Sequence, residues 1–275
     1  FAQRFAADGT PQGGEFQVNA YTTSLQFYPS VAMNAGGDFV IAWESWGQDG
    51  QAPGIFAQRF AADGTPEGEE FPVNTHTTGH QGNPSAAIDA DGSFVVAWRS
   101  ADQDGDRNGI FAQRFAAGGT PEGEEFSVNT YTTSDQFSPS VAMDADGNFV
   151  VAWESYLQDG DLFGVFAQRF TADGVPQGLE FPVNTYTARR QSLPSVSIDP
   201  EGGFIVAWTS GGQDGDDYGI FAKRYTASPV ANEDNAPLPT ALALDAVFPN
   251  PIRDAATLRY ALPTTAAVRL TVTDV

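Results

Sequence analysis

The chain has 275 residues and a net charge of −22, with 13 basic against 35 acidic side chains, which argues against nucleic acid and anionic membrane as partners because both need a basic face. It has no Cys, which excludes a disulfide framework, a thiolate metal site and a Cys nucleophile, and no run approaches the 18 apolar residues of a transmembrane segment. Hydrophobic residues at 41% suffice for a packed core, while 29 Gly, 18 Pro, 21 Phe and 5 Trp point to turns and strands rather than helices.

In chain order the first feature is a repeat. Phe1-Ala-Gln-Arg-Phe5 returns at Phe56, Phe111 and Phe166, and once more as Phe221-Ala-Lys-Arg-Tyr225, always 55 residues on. Trp43, Trp98, Trp153 and Trp208 keep the same step, as do Asn19, Asn74, Asn129 and Asn184, and Pro29, Pro84, Pro139 and Pro194. The chain opens inside a repeat, without Met or a signal-peptide pattern, so a fragment with its leader upstream is expected.

Each unit offers four strand candidates. In the third they are Pro139–Met143, ending at the Asp144-Ala-Asp-Gly147 turn; Phe149–Trp153, apolar throughout as befits a strand covered on both faces; Val165–Phe170; and Glu180–Asn184, reached through a turn at Gly174–Gly178. Four antiparallel strands per unit, repeated in tandem, predict an all-β fold: a β-propeller-like array of four four-stranded units over residues 1–225. A row of sandwich-like units or an open solenoid is the alternative. The last unit lacks its Glu-Phe-x-Val-Asn strand, and Glu15–Asn19 is a spare of that type, so closure by a strand swap is a further expectation.

The period ends after Tyr225. Residues 226–243, with Pro229, Pro237 and Pro239, read as a linker, and 244–275 as a partial small β-sandwich. Phe248-Pro-Asn-Pro251, Thr257-x-Arg-Tyr-x-Leu-Pro263 and Val268-x-Leu-x-Val-x-Asp-Val275 resemble the C-terminal sorting domain of type IX (Por) secretion cargo. That resemblance implies export through type IX machinery to the medium or outer surface of a Bacteroidetes-like bacterium. Its pattern normally runs on past Asp-Val with a Leu-Gly-Arg-like turn, so a truncated tail is expected. The repeats are similar to Gln-Asp-Gly-Asp/Phe-Ala-Gln-Arg-Phe arrays of large bacterial secreted and surface proteins, a likeness that speaks to location more than activity.

Candidate chemistry gathers in the loop after each Trp-bearing strand: Gln48-Asp-Gly-Gln51, Gln103-Asp-Gly-Asp106, Gln158-Asp-Gly-Asp161 and Gln213-Asp-Gly-Asp216. Asp104, Asp106, Asp159, Asp161, Asp214 and Asp216 are candidate calcium ligands, because calcium takes several oxygens around a tight turn. No loop carries an EF-hand's closing Glu and Asp-Gly is itself a turn former, so plain turns are the first expectation and calcium the second. Asp89-Ala-Asp-Gly92 and Asp144-Ala-Asp-Gly147 read as hairpin turns. The Arg of each Phe-Ala-Gln-Arg-Phe is expected opposite the Phe rings, pairing with a carboxylate such as Glu70 or Glu125. His76 and His80, the only histidines, read as loop residues. Trp46, Tyr156, Leu157, Phe163 and Tyr218, in or beside the long loops and different from unit to unit, are the candidate ligand-binding residues. With no Ser-His-Asp grouping and little broken symmetry, the sequence favours a binding or adhesion module for an extracellular glycan or protein. The alternatives are a calcium-stabilised spacer and a polysaccharide-degrading propeller enzyme.

Overall fold

A computed structural model of the chain describes residues 1–50 and 52–226, and of the remainder only the backbone pairing of β18 (Ala243–Leu244) with β19 (Tyr260–Ala261). Residues 1–227 form one unit and 228–275 a second. The linker and sorting-domain motifs at 248–251, 257–263 and 268–275 lie outside the described residues apart from that backbone, and Gln51 lies outside them as well.

The repeat folds as successive antiparallel meanders. A leading hairpin, β1 (Ala2–Phe5) and β2 (Pro11–Phe16), precedes the first complete blade of β3 (Gln26–Met33), β4 (Phe39–Trp46), β5 (Pro53–Phe60) and β6 (Pro66–Pro72). The second blade is β7 (Gln81–Ile88), β8 (Phe94–Ala101), β9 (Asn108–Phe115) and β10 (Pro121–Ser127); the third is β11 (Gln136–Met143), β12 (Phe149–Tyr156), β13 (Phe163–Phe170) and β14 (Phe181–Pro182). The fourth shows three strands among the described residues: β15 (Gln191–Ile198), β16 (Phe204–Gly211) and β17 (Tyr218–Tyr225).

In the third unit the first three strands start earlier or run later than the sequence suggests, whereas the fourth, expected at Glu180–Asn184, pairs only over Phe181–Pro182. The first strand of the third unit begins at Gln136 rather than Pro139, because a bulge at Ser138-Pro139 interrupts the ladder without ending it: the register jumps from Phe137↔Glu154 to Ser140↔Ala152. Proline has no N–H to give a ladder, and the residue before it takes a left-handed backbone, with φ of 50° at Tyr28, 55° at Asn83, 53° at Ser138 and 52° at Leu193. The expected turn at 174–178 also moves. Thr171 N–H donates to Val175 and Gly174 N–H to Thr171, so the reversal lies at 171–175, and in the complete blades Pro66-Glu-Gly68 and Pro121-Glu-Gly123 belong to bulged fourth strands.

The second strands of the first three blades, β4, β8 and β12, are buried on both faces, as their uninterrupted apolar runs require, while Ile205 of β16 is exposed. Blades pack face to face: Val40, Ala42, Ile55 and Ala57 of the first meet Phe94, Val96 and Trp98 of the second, and the same residue types recur at the next two junctions. A stacked Phe pair on β4/β5, β8/β9 and β12/β13 fills each blade, at ring separations of 4.9, 4.8 and 4.9 Å. The four bulges converge on one cavity of about 310 Å³ lined by Tyr28-Pro29, Asn83-Pro84, Ser138-Pro139 and Leu193-Pro194, so the first strands of all four blades surround a common axis. This is the propeller-like array. The strand swap is not formed: β2 pairs with β1, and β17 pairs only with β16 among the described residues.

Candidate functional site

Because the four units share one length, they can be compared position by position within the chain. Gln26, Pro29, Ser30, Phe39, Ala42, Trp43 and Ser45 have identical counterparts in every unit. Six of the positions that change lie at one end of the blades: Leu25/His80/Asp135/Arg190, Phe27/Gly82/Phe137/Ser192, Tyr28/Asn83/Ser138/Leu193, Glu44/Arg99/Glu154/Thr209, Trp46/Ala101/Tyr156/Gly211 and Pro53/Asn108/Phe163/Tyr218. Strand register brings these sets together, since Phe27 pairs with Glu44, Gly82 with Arg99, Phe137 with Glu154, and Tyr156 with Phe163.

Their side chains form a continuous line of contacts across the blade junctions. The Trp46 ring meets His80 edge-on at 6.0 Å; Arg99 Nη2 lies 3.1 Å from His80 Nδ1 and its guanidinium sits over Phe137 at 5.5 Å. Phe137 touches Phe163 at 6.0 Å, and Phe163 is flanked by Tyr156 at 5.0 Å and covered by Arg190 at 4.6 Å. Two buried carboxylates underlie the line. Glu44 Oε1 accepts from Trp46 Nε1 (2.8 Å) and faces His80 Nε2 (3.0 Å); Glu154 accepts from Ser138 Oγ (3.0 Å) and pairs with Arg190 (3.3 Å). Burial works to raise the Glu44 carboxyl, but the hydrogen bonds from His80 and Trp46 and the nearby Arg99 charge outweigh it and hold it below its ordinary range. Burial lowers the Arg99 guanidinium. Gly82 stands where the first and third units have Phe and the fourth has Ser, and a side chain there would fall on Glu44 Oε2 and on His80 Nε2.

Of the predicted ligand-binding residues, Trp46, Tyr156 and Phe163 belong to this line. Leu157 is exposed at the tip beyond Tyr156, and Tyr218 is exposed at the base of the fourth blade's loop, opposite Gly211. The sequence reading missed Glu44, Arg99, Phe137 and Glu154, which sit inside apolar strands; comparison of the units at those positions was the signal that could have found them. His80, read as a loop residue, is a junction residue, and so is Arg190.

The Asp loops are tied into the protein. Asp104 Oδ2 accepts from Asn129 Nδ2 (3.3 Å) and Asp159 Oδ2 from Asn184 Nδ2 (3.2 Å); Asp106 accepts from Ser134 N–H (2.8 Å) and Asp161 from Arg189 N–H (3.0 Å). Asp214 and Asp216 accept from backbone N–H groups of their own turn. Burial raises the Asp104 carboxyl. Among the described residues no three His or acidic side chains gather into a metal-holding group. The Gln of each loop is an anchor: Gln48, Gln103 and Gln158 donate to Glu70, Glu125 and Glu180, which also accept backbone N–H groups of Ala20, Thr75 and Thr130. Glu70 and Glu125 are therefore not the partners of the repeat arginines. Arg59 and Arg114 pair with Glu67 (2.5 Å) and Glu122 (2.9 Å), one strand over, because the bulge at Gly68 and Gly123 places Arg59 opposite Glu67 and Arg114 opposite Glu122.

No family model matches the chain, and no curated protein does. Among solved structures it is similar to an endo-arabinase from Bacteroides thetaiotaomicron (15% identity, 80% of this chain and 82% of that one, TM-score 0.49). It is also similar to an alpha-L-arabinofuranosidase from Lactobacillus brevis (11%, 80% and 78%, TM-score 0.46) and to an endo-1,4-beta-xylanase from Bacteroides thetaiotaomicron (13%, 77% and 75%, TM-score 0.45).

Proposed function

We propose that the chain is a binding module that holds an extracellular glycan along the variable end of its blades. The observation that carries this reading is the continuous line of aromatic, cationic and carboxylate side chains that the changing positions at that end build across the blade junctions. The opposite hairpins also change, but among turn formers such as Asp38/Ser93/Asn148/Gly203, whereas this end changes between aromatic, charged and small side chains. The chemistry of the line suits a saccharide. Exposed Trp46 and half-buried Tyr156 and Phe163 offer apolar ring surface to sugar C–H faces, and His80, Arg99, Ser138 and Arg190 interleave hydrogen-bonding groups suited to hydroxyls, with Glu44 holding Trp46 and His80 from below. Action outside the cell follows from the resemblance of residues 244–275 to a type IX sorting domain.

The test is a glycan array probed with the full chain, followed by titration calorimetry on the hits with Trp46→Ala and Phe163→Ala. Each variant is expected to weaken binding about tenfold or more, the range of a lost aromatic contact of roughly 1.4 kcal/mol. Equal affinity of both variants, or an array without hits, overturns the reading. Release of reducing ends from a bound polysaccharide would replace it with the enzyme reading.

A further inference from the structure

His80 stands between two charges of opposite sign. Glu44, from β4 of the preceding blade, places Oε1 3.0 Å from His80 Nε2, and Arg99, from β8 of the same blade as His80, places Nη2 3.1 Å from Nδ1 and 3.2 Å from Nε2. An ionised carboxylate only accepts and a guanidinium only donates, and this assigns the ring: Nε2–H is given to Glu44 and Nδ1 accepts from Arg99. The neutral imidazole alone meets both demands. Among the described residues the His80 ring is also the only hydrogen-bond acceptor of the Arg99 guanidinium, whose Nε is buried without a partner. Gly82 lets the three side chains gather, since a Cβ there would fall on Glu44 Oε2 and lie 2.9 Å from His80 Nε2 and 3.2 Å from Arg99 Nη2. Tyr28 of β3 and Asp135 ahead of β11 lie within electrostatic reach of Arg99, and the Asp135 carboxylate is itself bonded to Arg107 and Asn108.

The junction between the third and fourth blades shows the company that a permanent charge keeps at this place. There Arg190 is the counterpart of His80, 3.3 Å from Glu154, and the counterpart of Arg99 is the uncharged Thr209. A fixed cation thus occurs where no second cation stands beside it, and a titratable ring where one does.

We propose that His80 is a pH switch for the line of side chains at this end of the blades. Protonation keeps the bond to Glu44 but turns Nδ1 from acceptor to donor, so Arg99 loses its acceptor and meets a like charge at 3.1 Å. The guanidinium then leaves the ring, and with it the face of Phe137 that it covers at 5.5 Å, and the line parts between Trp46 and Phe137. Burial pushes the Glu44 carboxyl up, but the bonds from His80 and Trp46 hold it below its ordinary range, so it stays ionised while histidine titrates. The intact line belongs to the neutral ring, which favours ligand capture near neutrality and release in acid. That consequence rests on the glycan reading; the switch itself does not.

The test uses the full chain carrying His76→Tyr, the residue of the other three units at that position, so that His80 is the sole imidazole. In proton NMR from pH 5 to pH 8 the Phe137 ring signals are expected to move together with those of His80. They are expected to stay fixed in Arg99→Thr, which copies the third junction and should also shift the His80 midpoint to higher pH by removing the competing cation. Phe137 signals that ignore the His80 titration overturn the proposal. Calorimetry with a glycan-array hit is expected to give binding about tenfold weaker at pH 5 than at pH 8, because only molecules with a neutral ring are competent. His80→Gln, which donates and accepts without ever charging, should bind alike at both. Equal affinity of the parent at both pH values, or a His80→Gln profile that still falls in acid, also overturns the switch. An array without hits removes the glycan reading and leaves the NMR titration to decide the switch alone.

Discussion

Glu44 shows how the variable end is held together. Its carboxylate lies under the surface with Oε1 shared between the Trp46 indole and His80, and with Arg99 nearby, so its ionised form is favoured despite burial. A carboxyl whose folded-state pKa is depressed contributes stability that is present above its unfolded value of about 4.5 and is lost as pH falls through the lower folded value. Glu44→Gln is therefore expected to cost about 1.5–3 kcal/mol near pH 7, the worth of hydrogen bonds to a charged group. The gap to the wild type should narrow below pH 4.5. Urea unfolding at pH 7 and pH 3 checks both statements, and a gap independent of pH would place the stabilising charge elsewhere. Gly109 is a second residue whose identity follows from a neighbour: a Cβ there would fall on the Asp104 carboxylate, which also bonds Asn129. Gly109→Ala forces that carboxylate aside and is expected to destabilise by about 1–2 kcal/mol, the cost of a lost buried hydrogen bond. For a unit of this size that means a fall in melting temperature of roughly 2–8 °C by differential scanning calorimetry.

The loop after each second strand is the element whose sequence most invites a metal, and in the second and third units its side chains also bond the protein's own backbone and side chains. Gln103 reaches Glu125, Asp104 holds Asn129, Asn129 Oδ1 accepts Ile110 N–H at 2.7 Å, and Asp106 caps Ser134; the third unit repeats the scheme through Gln158, Asp159 and Asn184. These two loops thus fasten the connection that carries the chain into the following blade. Melting curves in EDTA and in millimolar calcium are expected to coincide, whereas a calcium-specific rise of several degrees would make these loops metal sites by mass action on the folded state. Asn129→Ala, by contrast, orphans a buried N–H and is expected to cost about 1–3 kcal/mol whether or not calcium is present. The strands themselves were legible in the sequence because Phe-Val-Val-Ala-Trp leaves no polar face, so burial on both sides is the only stable placement. What was not legible was pairing across a junction. Glu44 meets His80 at a separation of 36 residues and Arg190 meets Glu154 at the same interval, which the fixed 55-residue period conceals because the partners sit in different units at different phases. The arginine partners were misjudged for a related reason: a bulge shifts register, and alternation alone cannot show where a bulge falls.

At the scale of the whole array, stability is distributed along a line rather than around one centre. Each blade buries its faces only against its neighbours, so its stability is its own plus the two junctions it shares. Trp98 and Trp153 stand where both junctions exist and are 0% exposed, whereas Trp208 closes a single junction at 6% and lies on a blade whose back face carries the exposed Ile205 and Ile220. Removing a ring from a site that cannot collapse leaves a cavity, and about 3–5 kcal/mol is the usual cost of Trp→Ala in such a place. Trp98→Ala and Trp153→Ala are therefore expected to approach that full cost and to weaken two blades at once. Trp208→Ala should cost less, because the fourth blade has fewer neighbours to hold it open. Native-state hydrogen exchange supplies the complementary readout. The amides of β1, β2 and β15–β17 are expected to exchange through local openings well below the free energy at which β8 and β12 open, with the middle blades last to let go. An array that instead exchanged as one unit, with the three Trp substitutions equal in cost, would have to be cooperative across its open ends. That behaviour requires contacts between the first and fourth blades that β3 and β15 do not make as paired strands.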